Sequence, residues 1–232
     1  IGAFWTAVVL EDGRCGLASA LRAEDHHHHG RDPVHETGYL HERSARELAE
    51  LARSDSLLEA SVGLAAINAL LNVDEEACVE LNAEQVILEQ GTDKKVVIVG
   101  HFPFIPRVRE AARQLWVLEK RPGTGDLPSE AAPDVIPQAD VVAITGTSLI
   151  NHTFEELIGL CRPEAFVLVL GPTTPLSPVL FDYGADVISG TLVTDLETVL
   201  RYVSQGASFR QIKRSGGVKL LTLAHDSRFA DS

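Results

Sequence analysis

Apolar positions fall into two kinds of run along this chain, and the pattern changes near residue 92. Before it, Phe4–Leu10 and Cys15–Leu21 are short and apolar, which predicts two strands. Ser44–Ala52 has the spacing of a short amphipathic helix. Leu57–Leu71 is apolar on nearly every side, which predicts a buried helix, with Asn68 as the polar exception. Glu84–Gly91 reads as a connecting segment, and Gly91-Thr92-Asp93 as a turn.

Beyond residue 92 one grammar repeats. A β-branched run ends in a small residue, and a helix start follows. The runs are Val96–Gly100, Gln114–Glu119, Val141–Gly146, Phe166–Gly171 and Val187–Gly190. The intervening helices are predicted at Ile105–Arg113, Phe154–Leu160, Pro178–Phe181 and Asp195–Ser204. Continuous apolar strands separated by helices imply an α/β fold with a parallel sheet covered on both faces. Thr153 with Glu156, and Thr194 with Glu197, have capping-box spacing. Ser177-Pro178 suits a helix start, and Gly184 a helix stop.

Composition narrows the function classes. The 232 residues carry a formal net charge of −13. That balance excludes general nucleic-acid binding, which needs a basic surface, and disfavours an anionic membrane surface. No apolar run is long enough to span a bilayer. No basic segment followed by an apolar one opens the chain. Methionine is absent throughout, so the chain as given is expected to lack its true start. Cys15, Cys78 and Cys161 stand far apart and form no disulfide framework or CxxC pair, which points to reduced cytoplasm.

The chemistry belongs at the carboxyl ends of the strands, where open parallel sheets bind ligands. The loops there read Gly100-His101-Phe102-Pro103, Glu119-Lys120, Thr145-Gly146-Thr147-Ser148, Gly171-Pro172-Thr173-Thr174-Pro175 and Ser189-Gly190-Thr191. Glycine lets a backbone approach a ligand, and hydroxyls hold anions. The same residues also dominate ordinary turns. No GxGxxG or GxxxxGK[ST] occurs, so neither a standard dinucleotide fingerprint nor a P-loop is expected. Glu119 ends the second run, where related sheets place an acid against ribose hydroxyls. A solvated strand-end carboxylate is an equal reading.

His101 suits a general acid/base, a metal ligand, or a packed loop histidine. With Glu119 and Asp126 it forms an acid/base set only if folding brings the three together. His152 lies beside Asn151, which suits a helix cap. The run His26–His29, with Asp25, Asp32 and His35 nearby, hints at zinc or nickel affinity. Adjacent side chains in an extended loop diverge, so a solvated polar loop is the stronger reading. Asn68 and Glu59 on the apolar helix read as structural ties more than as ligand contacts.

Taken together, Glu59–Ala69, Val96–Pro103, Gly125–Pro128, Asp140–Thr145 and Gly171–Gly190 resemble the family named Putative heavy-metal chelation. The resemblance covers most of residues 56–205 and is looser before them. It implies a small α+β domain similar to the enolase N-terminal domain over residues 1–92, then a Rossmann-like domain over 93–232. It also implies a ligand site in the cleft between them. Carried over by motif, the cleft residues are Asn68, Gly100, His101, Phe102, Pro103, Glu119, Thr145, Gly171, Pro172, Thr173, Ser189 and Gly190. The His26–His29 run is not part of the resemblance.

Two functions follow as expectations. One is a cytoplasmic binder of a heavy metal or metal chelate, with a divalent transition metal as the cofactor candidate and His101 as a ligand. No soft-ligand cluster is expected in the cleft, so the metal is expected to arrive on an organic chelator. The other is an enzyme acting on a small anionic or nucleotide-like substrate, with His101 or Glu119 moving a proton. The expected partner is a small molecule or metal, with neither nucleic acid nor membrane insertion. A homodimer formed through Leu57–Leu71 is a third, non-catalytic option.

Overall fold

The computed structural model describes residues 1–22, 34–78 and 83–225. The His26–His29 run lies outside the described residues. The chain opens with an antiparallel pair, β1 (Trp5–Val9) and β2 (Cys15–Ser19), in which Val9 faces Cys15 and Trp5 faces Ser19. Helix α1 (Ala45–Glu50) begins at Ser44, whose hydroxyl accepts from the Glu47 N–H while the Glu47 carboxylate accepts from the Ser44 N–H. This capping box satisfies two backbone donors that a helix start leaves over. Helix α2 (Leu57–Leu70) is buried along most of its length, as its all-round apolar sequence requires.

Small residues let α2 pack this tightly. A Cβ on Gly16 would lie 2.1 Å from the Ala65 carbonyl, and one on Gly63 would lie 2.0 Å from the Ala52 nitrogen. Its Val62, Leu64 and Ala66 share a core with Val8, Ala18 and Leu48.

Helix α3 (Ala83–Gly91) replaces the expected connecting segment. Val86 and Ile87 are buried against the sheet, and Gln85 bonds Glu89 one turn on. The i, i+3, i+4 spacing from Ala83 is therefore helical, although short.

The main sheet follows. Its strands are β3 (Lys95–Val99), β4 (Gln114–Glu119), β5 (Leu127–Pro128), β6 (Val141–Thr145), β7 (Phe166–Leu170), β8 (Val187–Val193) and β9 (Val218–Ala224). The spatial order is β5-β4-β3-β6-β7-β8-β9. All neighbours pair in parallel except β8 and β9, which run antiparallel. Strand order reverses between β3 and β6, the doubly wound arrangement expected for a Rossmann-like sheet. β7, with the sequence FVLVL, is buried at every position, as a central parallel strand requires.

Helices cover the sheet: α4 (Ile105–Ala111), α5 (Ala132–Val135), α6 (Thr147–Ile150), α7 (Phe154–Gly159), α8 (Val179–Asp182), α9 (Leu196–Ser204) and α10 (Phe209–Arg214). One face packs Val97, Leu118, Val142 and Val169 against α5 and α7. The other packs Ile98, Val117, Ala143 and Leu168 against α3 and α4.

Three cap assignments change. Thr153 has a helical backbone, and its hydroxyl donates to Asn151 Oδ1 at 2.6 Å, so no capping box forms. Asp195, not Thr194, caps α9 by accepting from the Thr198 N–H. Pro178, not Ser177, stands at the cap of α8, while Gly184 does turn the chain after it with φ +101°.

The N-terminal hairpin is tied to the sheet. Trp5 and Leu17 share a core with Val199 and Val203 of α9 and Ile212 of α10. Ile150 of α6 joins the α2 core. His152 Nε2 lies 2.9 Å from the Ser54 carbonyl oxygen.

Candidate ligand site

The carboxyl ends of β3, β4 and β6 border a cavity of about 700 Å³. It sits at the reversal of strand order, where the sheet leaves a crevice between loops running to opposite faces. Gly100, His101 and Phe102 border it after β3, and Glu119, Lys120 and Arg121 at the end of β4. Thr145, Thr147 and Ser148 border it at the end of β6. Leu21, Arg22 and Leu57 reach it from the N-terminal part.

Local chemistry shapes each wall. Gly100 adopts φ +106°, a conformation that favours glycine. A Cβ there would lie 3.1 Å from Thr145 and 3.3 Å from the Phe102 ring. The Phe102 ring is stacked on Phe104 with centroids 5.1 Å apart, which fixes its plane. The Thr145 and Thr147 hydroxyls are 3.0 Å apart, and Ser148 Oγ donates to the Thr145 carbonyl. Asn151 also lines the cavity. Its Oδ1 accepts from Thr153.

Charge is mixed. Arg22, Lys120 and Arg121 line the cavity together with Glu119, Glu130 and Glu156. Three cations and three carboxylates thus share one crevice in a chain of net charge −13. His101 Nδ1 lies 3.5 Å from Asp126 Oδ2. The Asp126 carboxylate is buried and accepts from the Gly123 N–H at 3.0 Å, so it is fixed in place behind an exposed imidazole.

Of the residues expected in the cleft, the cavity gathers Gly100, His101, Phe102, Glu119 and Thr145. Gly171, with φ +116°, stands behind them, its Cβ position 4.0 Å from Phe102 and from Thr145. Pro103 is exposed at the turn into α4, and Pro172 is half-buried in the turn after β7.

The other four form a closed seam. The Ser19 N–H donates to Thr173 Oγ1 at 3.0 Å, and the two hydroxyls share a second bond at 2.9 Å. Asn68 Nδ2 donates to the carbonyls of Leu17 (2.8 Å) and Thr173 (3.1 Å). Ser189 Oγ is 2.5 Å from Thr222 Oγ1. A Cβ on Gly190 would lie 2.5 Å from the Thr174 carbonyl oxygen.

Glu59 is likewise a tie. It is buried, and it accepts from the His35 N–H (2.8 Å) and Ser54 Oγ (2.5 Å) and pairs with His35 Nδ1 (2.7 Å). Burial alone pushes its carboxyl up, but these donors together hold it below the usual carboxylate range.

Sequence reading missed Arg22, Arg121, Asn151, Thr153 and Glu156. Arg22 is distant in sequence from the strand-end loops and only the fold brings it there, while Glu156 lies in α7, the helix that follows the β6 loop. Arg121 carried a signal, since it follows Glu119-Lys120 directly.

Among the described residues no three His, Cys, Asp or Glu side chains converge as a metal-binding group. His101 supplies at most one bond. Burial pushes the Cys15 and Cys161 thiols up to about 12, which suppresses the thiolate that would ligate. The described residues therefore do not fit a bare transition-metal ion held by the protein alone.

Comparison with known proteins gives a consistent picture. Two family models, both described as Putative heavy-metal chelation, match residues 1–71 and 82–222. An uncharacterized protein of Methanocaldococcus jannaschii is 26% identical over 176 residues, covering 72% of this chain and 67% of its own length. A crystal structure of a DUF364-family protein of unknown function from Desulfitobacterium hafniense is 31% identical. It superposes with a TM-score of 0.79, covering 97% of this chain and 88% of that one. A second, from Pyrococcus horikoshii, shares the fold at 19% identity and a TM-score of 0.77, covering 95% and 88%. Among the described residues no helix is long and apolar enough to cross a membrane. With one family model spanning residues 82–222 and its companion the first 71, the chain belongs to the family described as Putative heavy-metal chelation.

Proposed function

We propose that this chain binds a small anionic organic ligand that itself carries a heavy metal, in the cleft between its N-terminal part and the strand ends. One observation carries the reading. The cavity at the strand-order reversal is lined by Arg22, Lys120 and Arg121, which offset Glu119, Glu130 and Glu156, and by Thr145 and Thr147, whose hydroxyls are 3.0 Å apart. Cations supply counter-charge, and hydroxyl and amide donors fix orientation in such a pocket. Its volume of about 700 Å³ suits a small organic molecule rather than an ion. When bound, the metal's coordination comes from the organic ligand, and the protein recognises the assembled chelate. The setting we assign is the cytoplasm, where the free thiols Cys15, Cys78 and Cys161 stay reduced.

A second reading rests on the pair His101–Asp126. A fixed carboxylate behind an exposed imidazole orients it for proton transfer to a bound substrate. In that case the chain is an enzyme acting on the same class of ligand.

Native mass spectrometry of untagged protein, purified without metal resin, tests both. Chelate binding predicts a mass excess equal to one organic molecule plus one metal, retained when His26–His29 are replaced by alanine. An excess of a bare ion, lost with those histidines, would overturn it. Conversion of the released molecule by wild type but not by His101→Ala would favour the enzyme.

A further inference from the structure

We infer that the organic ligand carries a ribosyl group, with Glu119 reading its vicinal hydroxyls. The inference rests on the pocket assigned above and names its ligand class. Gly100 directly follows β3, at the strand-order reversal, and Glu119 stands nineteen residues later at the end of the adjacent strand β4. Both line the same cavity. In doubly wound sheets that carry a dinucleotide fingerprint, a carboxylate reaches a ribose diol from that position, about twenty residues after the first glycine, and Glu119 keeps the position without the fingerprint. A carboxylate accepts both hydroxyl protons of a vicinal diol. Among the described residues the Glu119 carboxylate is committed to no hydrogen bond or ion pair, so its acceptors remain available.

The rest of the cavity matches the other parts of a mononucleotide. Leu21, Leu57, Leu118 and Leu157 give it an apolar wall, and the Phe102 ring adds an aromatic one, together suited to a nucleobase. Arg22 and Lys120 provide charge for a phosphate. The loop after β3 lacks the GxGxxG that cradles a diphosphate, which favours a nucleoside or mononucleotide over a dinucleotide.

The test is calorimetric titration with adenosine 5′-monophosphate and with its 2′,3′-dideoxy analogue. Wild type should bind the first at least tenfold more tightly than the second. Glu119→Gln should bind both about equally, with an unchanged thermal midpoint. Equal binding of the two nucleotides by wild type would overturn diol recognition while leaving the anionic pocket in place. Binding of neither nucleotide, with a non-ribosyl molecule found in the native mass spectrum, would overturn the ribosyl class alone. Binding of neither, with no retained molecule at all, would remove both this inference and the pocket reading. The wild-type comparison decides the matter even if Glu119→Gln folds poorly.

Discussion

The carboxyl edge of the main sheet carries two kinds of glycine- and hydroxyl-rich loop, and they do opposite things. On the β4–β3–β6 side, Gly100, Glu119 and Thr145 border an open cavity. On the β7–β8 side, Thr173 and Gly190 are closed over by the N-terminal hairpin and by the turn at Thr174. Both sides have the residues of a ligand-binding loop. What separates them is their neighbours. Ser19 and Asn68 consume the Thr173 hydroxyl and carbonyl, whereas nothing among the described residues fills the space above Thr145 and Thr147. Small polar residues at strand ends permit close approach, and the approaching group is backbone in one case and, on our reading, ligand in the other.

The contrast breaks most severely at the seam. Gly190→Val should cost about 3 kcal/mol of unfolding free energy in urea titration, because its side chain meets the Thr174 carbonyl oxygen with no room to move. A near-neutral result would mean the seam is loose. Next comes Thr173→Val, expected to cost about 1–3 kcal/mol by leaving the Ser19 N–H unpaired, with ligand retention unchanged. Loss of ligand without loss of stability would move Thr173 into the site.

On the open side the signs reverse. Lys120→Ala combined with Arg121→Ala should leave the thermal midpoint within a degree or two and weaken ligand binding by about tenfold, or about 1.4 kcal/mol. The deficit should shrink at high salt, where counter-charge matters less.

The smallest effect concerns Glu59. Its carboxyl is held low in the folded protein, so its contribution is fully present above the unfolded carboxylate value and is lost as pH falls through the folded one. Wild-type stability should therefore decline as the solution is made more acidic. Glu59→Gln should flatten that decline and cost about 1 kcal/mol near neutrality. An identical pH profile in the variant would show that other groups govern acid stability.

Much of this was legible in the residues. The apolar runs marked all five principal parallel strands because burial on both faces leaves few polar positions to blur them. Asn68, expected both as a tie and by resemblance in the cleft, donates to the Leu17 and Thr173 carbonyls, and Glu59 accepts from the His35 N–H and Ser54, since a buried polar group on an apolar helix needs a partner. The β9 strand and α10 escaped notice. β9 pairs antiparallel at the sheet edge, and its Val218–Ala224 pattern lacks the strand-then-glycine grammar of the others. α10 spans six residues, too few for a clear period. Among the residues expected at the site, those in the loops of β3, β4 and β6 border the cavity, but Thr173 and Gly190 look no different in sequence. The surroundings of Thr173 depend on the hairpin more than a hundred residues earlier, and those of Gly190 on the turn at Thr174, contacts that local pattern does not encode.

The central claim is that ligand binds at the β3–β4–β6 strand ends and not at the β7–β8 seam. Amide hydrogen exchange tests it directly, comparing untagged protein as purified with the same protein stripped of small molecules by unfolding, dialysis and refolding. The account predicts that the ligand-bearing form gains protection at residues 100–102, 119–121 and 145–151, while residues 171–174 and 189–190 exchange equally slowly in both. Protection gained at the seam, with none at the strand ends of β3, β4 and β6, would contradict it.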